Sequence, residues 1–283
     1  MTNQTDMPGT AGTIDACGVT HTGKVRETNE DQFFVASLQK SLDLMHTSLD
    51  HVAAFEEVNR SKAYLFVVAD GVSTTGGGSI ASGTAVQALV TYISRTMGCF
   101  YGYDVESEYE FIEQLEGAVE HAHKSVLAEF SSKGKGPATT LTIATLIWPR
   151  LYFVHVGDSR AYYMRNGRLK QITRDQTMGE LMIDQGVMTE EQVSRSSLMN
   201  ILASAVGGDL KPSVGLIDLQ WGDTVLLCSD GLTRHVSDEE ITKTLEETDS
   251  AESSCHVLRD AALEGGGRDN ITVVVARAVE DAQ

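Results

Sequence analysis

Aspartate stands at the mouth of one apolar segment after another in this chain. Tyr64-Leu-Phe-Val-Val-Ala-Asp70-Gly71 leads an apolar strand pattern into Asp-Gly, and Thr224-Val-Leu-Leu-Cys-Ser-Asp230-Gly231 does the same. Leu151-Tyr-Phe-Val-His-Val-Gly157-Asp158 is a third case, and Arg268-Asp269-Asn270 sits directly before the apolar run Ile271–Ala276. A carboxylate beside a buried strand is costly unless it is paired, hydrogen-bonded or bound to metal. Singly, each of these residues reads as a turn aspartate, because Asp-Gly favours tight turns. Four such positions shift the balance to a shared, all-oxygen ligand site, which suits magnesium or manganese rather than zinc. Arg26-Glu27-Thr28-Asn29-Glu30-Asp31 adds a guanidinium beside paired acids, just ahead of the strand pattern Gln32–Ala36. An arginine fork suits a phosphoryl dianion, although alone the segment reads as a solvated charge run.

The elements that must position these residues are legible in the hydrophobic pattern. Strands are predicted at Ile14–Thr20, Gln32–Ala36, Tyr64–Ala69, Leu141–Trp148, Leu151–Val156, Ala161–Arg165, Thr224–Cys228 and Ile271–Ala276. Several are apolar on both faces, as strands covered by other layers are. Val86, Leu89, Val90, Ile93 and Met97 mark one helical face, and Phe111, Leu115, Val119, Ala122, Val126 and Phe130 another. Ser237-Asp-Glu-Glu240 and Thr189-Glu-Glu-Gln192 read as capping boxes, with Val236/Ile241 and Met188/Val193 as hydrophobic staples. A further helix after Asp249 is expected to stop at Gly265-Gly266-Gly267. Ser37 to Lys62 fits a helical face and an alternating strand equally well.

The bulk numbers set limits on partners and place. The 283 residues are 41% hydrophobic and 22% charged, ordinary values for a soluble enzyme of one large domain. A formal charge of −18 repels a nucleic-acid backbone and offers no polybasic membrane anchor; as a bland alternative it simply keeps the protein soluble. Cys17, Cys99, Cys228 and Cys255 form no CxxC pair, which argues against a zinc site and for a reducing compartment. Met1 to Thr13 has no apolar h-region and Leu141 to Val156 is broken by Pro149 and Arg150, so a cytoplasmic location is expected. No repeat or linker divides the chain. One domain is expected over 12–278, with loose ends at 1–11 and 279–283.

Taken in order, Arg26-x-x-Asn29-Glu30-Asp31, Val68-Ala69-Asp70-Gly71, Val156-Gly157-Asp158-Ser159-Arg160, Cys228-Ser229-Asp230-Gly231-Leu232 and Gly267-Arg268-Asp269-Asn270-Ile271-Thr272 resemble the metal-dependent protein phosphatases of the PPM family, type 2C class, and especially the bacterial members. Thr139-Thr140-Leu141 is similar to the family's Thr-Thr-Leu strand start. The resemblance spans about residues 12 to 278 and implies an α+β fold, a four-layer α-β-β-α sandwich of two antiparallel sheets flanked by helices. It implies two Mn2+ or Mg2+ ions. Asp70 would bridge both, the Gly71 carbonyl would ligate the first, Asp230 and Asp269 the second, and Glu30 would reach the centre through water. Asp158 matches the residue that, with Asp230, holds a third, weaker ion. Arg26 matches the phosphate-binding arginine, Asp31 a supporting acid behind the ligands, and Asn270 a neighbour of the ligand Asp269. The implied reaction is hydrolysis of phosphoserine and phosphothreonine in proteins, with a cognate serine/threonine kinase as counterpart and a monomeric enzyme. Water activated between cations roughly 3.5–4 Å apart attacks in line.

The chain departs from the family at three places. Val72 stands where animal members carry a histidine taken as the general acid, which leaves protonation of the leaving oxygen to water. Ser73-Thr-Thr-Gly-Gly-Gly78 replaces the usual Gly-Gly pair, and Thr173-Arg-Asp-Gln176 has glutamine where histidine is frequent. Residues 175–206 resemble the flap bordering the active site, with a turn at Gln185-Gly186-Val187. Two other readings compete. Cys228-Ser-Asp-Gly-Leu-Thr-Arg234 also satisfies the C-x-x-G-x-x-R signature of cysteine-based phosphatases, although Asp230 would put a negative charge in the anion cradle. An inactive phosphatase-like binding module would keep the fold without turnover. His121, His123 and His155, and the methionines Met178, Met182 and Met188, read as structural.

Overall fold

The computed structural model describes residues 12–39, 62–73, 76–96, 105–130 and 136–280. In chain order the described strands begin with β1 (Gly12–His21), β2 (Asp31–Gln39), β3 (Lys62–Val72), β4 (Ala138–Thr139), β5 (Leu141–Ile147) and β6 (Arg150–Val156). They continue with β7 (Arg160–Arg165), β8 (Arg168–Gln171), β9 (Ser213–Asp218), β10 (Thr224–Cys228) and β11 (Ile271–Glu280). The helices are α1 (Gly78–Thr96), α2 (Val105–Glu129), α3 (Met178–Asp184), α4 (Glu190–Ser194), α5 (Asp230–Thr233), α6 (Asp238–Glu247) and α7 (Ala251–Glu264), with a 3-10 turn at Ser197–Asn200.

The strands pair into two antiparallel sheets. One has the order β1-β11-β10-β7-β8 and the other β2-β3-β5-β6-β9, with β4 added to the end of β3. Strand periodicity then explains why these segments are apolar on both faces. In β3, Leu65, Val67 and Ala69 pack under α1 and α2, while Phe66 and Val68 point between the sheets. In β10, Leu226 and Cys228 pack under α6 and α7, while Val225 and Leu227 point inward to meet Phe66, Leu146 and Val274. Helices, sheet, sheet and helices make the four layers expected.

Each predicted strand is present, and both capping boxes form, with Thr189 accepting from Gln192 N–H and Ser237 from Glu240 N–H. Val236 and Ile241 are buried as the second staple requires. Three strand boundaries are corrected. Strand β3 does not end at Ala69 but runs through Asp70 and Gly71 to Val72, held there by pairing with β4, so Asp70 is a strand residue and not a turn residue. By contrast, the helix expected after Asp249 forms and stops at Gly265 as expected, with Ser250 as its cap, whose hydroxyl accepts Ser253 N–H. Val279 and Glu280 are not loose: they close β11 against Thr13 and Gly12. Ser37 to Gln39 extend β2 and Lys62 opens β3, whereas residues 40–61, and with them most of the ambiguous segment, lie outside the described residues. So do Thr74 and Thr75 of the longer loop, residues 1–11 and residues 281–283.

Candidate metal centre

The two sheets are cross-linked where β2, β3, β10 and β11 meet. Asp31 opens β2 and pairs in register with Asp70 of β3. Its side chain crosses to the other sheet, where its Oδ2 accepts the Ser229 and Thr272 hydroxyls at 2.7 Å each. Ser229 follows β10 directly at the N-cap position of α5, its hydroxyl spent on Asp31 and not on a cap, so Asp230 becomes the first residue of that short helix, where a carboxylate is favoured. Asp269 and Asn270 immediately precede β11. Asp158 lies in the bend between β6 and β7.

Backbone contacts fix Asp70 closely. Its N–H donates to Thr140 Oγ1 at 2.9 Å, and its carbonyl accepts from Thr139 Oγ1 at 2.9 Å and Thr140 N at 2.8 Å. This gives the Thr139-Thr140 pair a physical role: it clamps the peptide units on either side of the acid. Gly71 follows because its α-carbon is pressed against Gly78 and the Glu30 carbonyl, where a Cβ would collide. Glu30 is held at both ends. Its N–H donates to Asn270 Oδ1 at 2.8 Å, its carbonyl accepts from Ser82 Oγ at 2.6 Å, and its Oε1 accepts from Gly78 N at 3.0 Å. Asn270 also donates to the carbonyls of Thr22 and Thr28 at 2.9 Å, stitching the Arg26 loop to β11. Gly231 is equally constrained, since a Cβ there would run into the Asn270 carbonyl.

Charge is the site's dominant feature. Burial, and then repulsion from the neighbouring acids, push Asp70 well above the usual carboxylate range. Burial likewise pushes Asp31 and Asp158 up to about 7, Asp31 despite its two hydroxyl donors, and raises Asp230 against the pull of Arg234. Arg26 Nη2 pairs with Asp269 Oδ2 at 2.7 Å. Arg234 pairs with Asp230 Oδ2, and its Nη1 stands 3.6 Å from Asp269 Oδ2. Asp31 Oδ1 and Asp230 Oδ1 are buried and accept no hydrogen bond from the described residues. Among the described residues no three His, Cys, Asp or Glu side chains close on one point at ligand spacing; two arginines hold Asp230 and Asp269 as they stand. The donor chemistry nevertheless fits a hard divalent cation, because crowded, buried, partly unpartnered carboxylate oxygens are stabilised by positive charge.

The cysteine-based alternative fails on two counts. Cys228 is fully buried in β10 and burial pushes its thiol up to about 12, whereas a nucleophilic thiolate needs the opposite shift. Arg234 is committed to Asp230 and Asp269 and forms no cradle around the sulfur. Sequence motifs name Arg160, Asp175 and Gln176 but not the contacts they make. Asp175 grips Arg160 with both oxygens at 2.8 to 3.1 Å, and its Oδ1 accepts from Gln171, which anchors the start of the flap to β7. Gln176 accepts Gly157 N–H at 3.0 Å and donates to Lys211 O at 3.0 Å, tying the flap beside Asp158. Arg160 and Asp175 are fifteen residues apart, a spacing that carries no local signal. His155 is buried and bonded to Thr142 and the Arg174 carbonyl, the structural role expected of it.

Residues 50–264 match the family model described as protein phosphatase 2C. The chain belongs to that family. It is 36% identical over 221 residues to the serine/threonine protein phosphatase PstP of Mycobacterium tuberculosis, a match covering 77% of this chain. The chain spans 41% of the length of that relative. It is also 29% identical over 236 residues to the serine/threonine phosphatase stp of Listeria innocua, covering 82% of this chain and 90% of the relative. Among solved structures it superposes on the catalytic domain of PstP in complex with two manganese ions, with a TM-score of 0.71, 30% identity, and 94% and 98% of the two chains covered.

Proposed function

We infer that this chain is a metal-dependent serine/threonine protein phosphatase that hydrolyses phosphomonoesters with an activated water. The observation that carries the reading is the gathering of Asp31, Asp70, Asp158, Asp230 and Asp269, acids from distant parts of the chain, beside Arg26. The names of its relatives point the same way. On this reading Asp70, the Gly71 carbonyl, Asp230 and Asp269 would hold two Mn2+ or Mg2+ ions with Glu30 in support, and Asp158 with Asp230 would offer a third position. Bound there, the cations would lower the pKa of a water and neutralise the phosphoryl oxygens.

The remaining roles belong to the chain's own side chains. Arg26 is half exposed, at 52%, with its guanidinium against Asp269, so it can reach an incoming phosphoryl dianion while staying paired. Asp31 and Asn270 act through their neighbours, one bracing the sheets and the other orienting Glu30. The hydroxyls of Ser229, Thr139 and Thr140 are all engaged and Cys228 is buried, so attack by water rather than by these side chains is favoured. Val72 carries no transferable proton, and solvent protonates the leaving oxygen. Residues 12–278 form the catalytic unit, with 175–206 as the flap that selects substrate. Phosphoserine and phosphothreonine proteins are the substrates, a serine/threonine kinase supplies them, and the enzyme acts as a cytoplasmic monomer. None of the described helices is long and apolar enough to cross a membrane.

Turnover of a phosphothreonine peptide by manganese-loaded protein tests the reading. Asp230→Asn is expected to lower kcat by roughly 10²-fold or more, the scale of losing several kcal/mol of charge stabilisation. Equal rates, or turnover that survives a chelator, would overturn it.

A further inference from the structure

Asp230 and Asp269 are held by a side chain that the phosphatase chemistry above does not use. Arg234 follows α5 and folds back onto Asp230, four residues earlier, pairing with its Oδ2. Its Nη1 stands 3.6 Å from Asp269 Oδ2, the same oxygen that Arg26 takes at 2.7 Å. Its Nη2 donates to Asn200 Oδ1 at 3.4 Å, the last residue of the 3-10 turn in the flap segment. One guanidinium thus touches two acids that would hold a cation and one residue of the flap.

We propose that Arg234 is a tethered counter-ion that neutralises Asp230 and Asp269 in the cation-free protein, yields their oxygens to an incoming divalent cation, and so couples cation loading to the flap through Asn200. This rests on the reading that Asp230 and Asp269 are ligands. The competition follows from the oxygen count. Asp230 has one buried, unpartnered oxygen, Oδ1, and one on Arg234, Oδ2. A cation taking Oδ2 displaces the guanidinium directly, and a cation taking Oδ1 sets a second positive charge against it across a single carboxylate. Departure is easy because the Arg234 side chain is 43% exposed and can turn into water. When it turns, the hydrogen bond to Asn200 breaks, and the flap loses a tie to the acids. Among the described residues Arg26, shared with Asp269 but more exposed, makes no hydrogen bond to the flap. Arg234 is a positioning residue on this account, acting on affinity and on the flap rather than on the reacting atoms.

The test is calorimetric titration of Mn2+ into metal-stripped wild type, Arg234→Gln and Asn200→Ala, with hydrogen exchange measured over residues 197–206 before and after loading. Removing a competitor and a like charge is expected to tighten the weakest Mn2+ site of Arg234→Gln by at least about fivefold. Exchange over 197–206 is expected to rise on loading in wild type, and to be already high and unresponsive in Arg234→Gln. Asn200→Ala leaves the acids untouched and is expected to keep wild-type affinity within about twofold while losing the Mn2+ response of the flap, which keeps the proposal testable if Arg234→Gln does not fold. Unchanged or weaker Mn2+ binding by Arg234→Gln, or a flap response surviving in Asn200→Ala, would overturn the proposal. Wild type that binds no Mn2+ would instead remove the ligand reading on which it stands.

Discussion

Asp31 is 1% exposed, carries two hydroxyl donors on one oxygen and none on the other, and faces Asp230 and Asp269. Its carboxyl is pushed up to about 7 from 3.8, so between those values the folded, cation-free protein holds a proton that the unfolded chain has released. The folded state then binds more protons than the unfolded one, and stability falls as pH rises through this window, by up to about 1.4 kcal/mol per pH unit. Asp70, Asp158 and Asp230 are raised as well and act in the same direction, so Asp31→Asn, which cannot ionise, is expected to lessen the fall between pH 4 and 7 in urea unfolding of metal-stripped protein without abolishing it; slopes identical to wild type would contradict it. His155, kept neutral by burial down to about 4, works in the opposite direction below pH 6.5 and is common to both proteins. At this scale the acids were legible because apolar flanks make a carboxylate conspicuous. The roles of the hydroxyls that serve them were not: Thr139-Thr140 and Thr272 stand out by resemblance to the family, but only the fold shows what each one bonds.

Strand β3 shows how an element positions chemistry. Asp-Gly suggested a turn, but β4 pairs with Gly71 and Val72 and keeps the backbone extended, so Asp70 is set by ladder geometry. Thr140 is fully buried and bonds both the Asp70 N–H and Ser159 Oγ, at 2.9 and 2.7 Å. Thr140→Val keeps the shape and strands both partners, so a loss of about 1–3 kcal/mol is expected in urea unfolding, with Thr140→Ser losing less; a valine variant as stable as wild type would contradict this role. The capped helices α4 and α6 and the two-faced central strands were readable from local pattern. Strands β8 and β9 were not, because Arg168–Gln171 and Ser213–Asp218 are short edge strands with polar faces and borrow their stability from β7 and β6. Helix α3 was also missed, although Thr177 caps it three residues before Glu180, a signal the sequence does contain.

For the whole molecule, the four layers bring residues 26 to 31, 70, 158, 230 and 269 to one site from separate stretches of sequence. Order along the chain made the family legible. Distances, the Arg160–Asp175 anchor and the Arg234 bridge depend on how the sheets stack, and no local pattern encodes that. The acids are collected at an electrostatic cost that positive charge must relieve, supplied by Arg26 and Arg234 in the structure and by divalent cations in the proposed enzyme. The central claim is therefore that Asp70 makes this a cation site for phosphate chemistry. Its most direct test is Mn2+ stoichiometry, measured together with phosphothreonine-peptide turnover, in wild type and Asp70→Asn. The account predicts at least two bound ions and turnover in wild type, with loss of one ion or more and of turnover in the variant. An Asp70→Asn protein that is folded, binds as many ions as wild type and turns over at the same rate would contradict it.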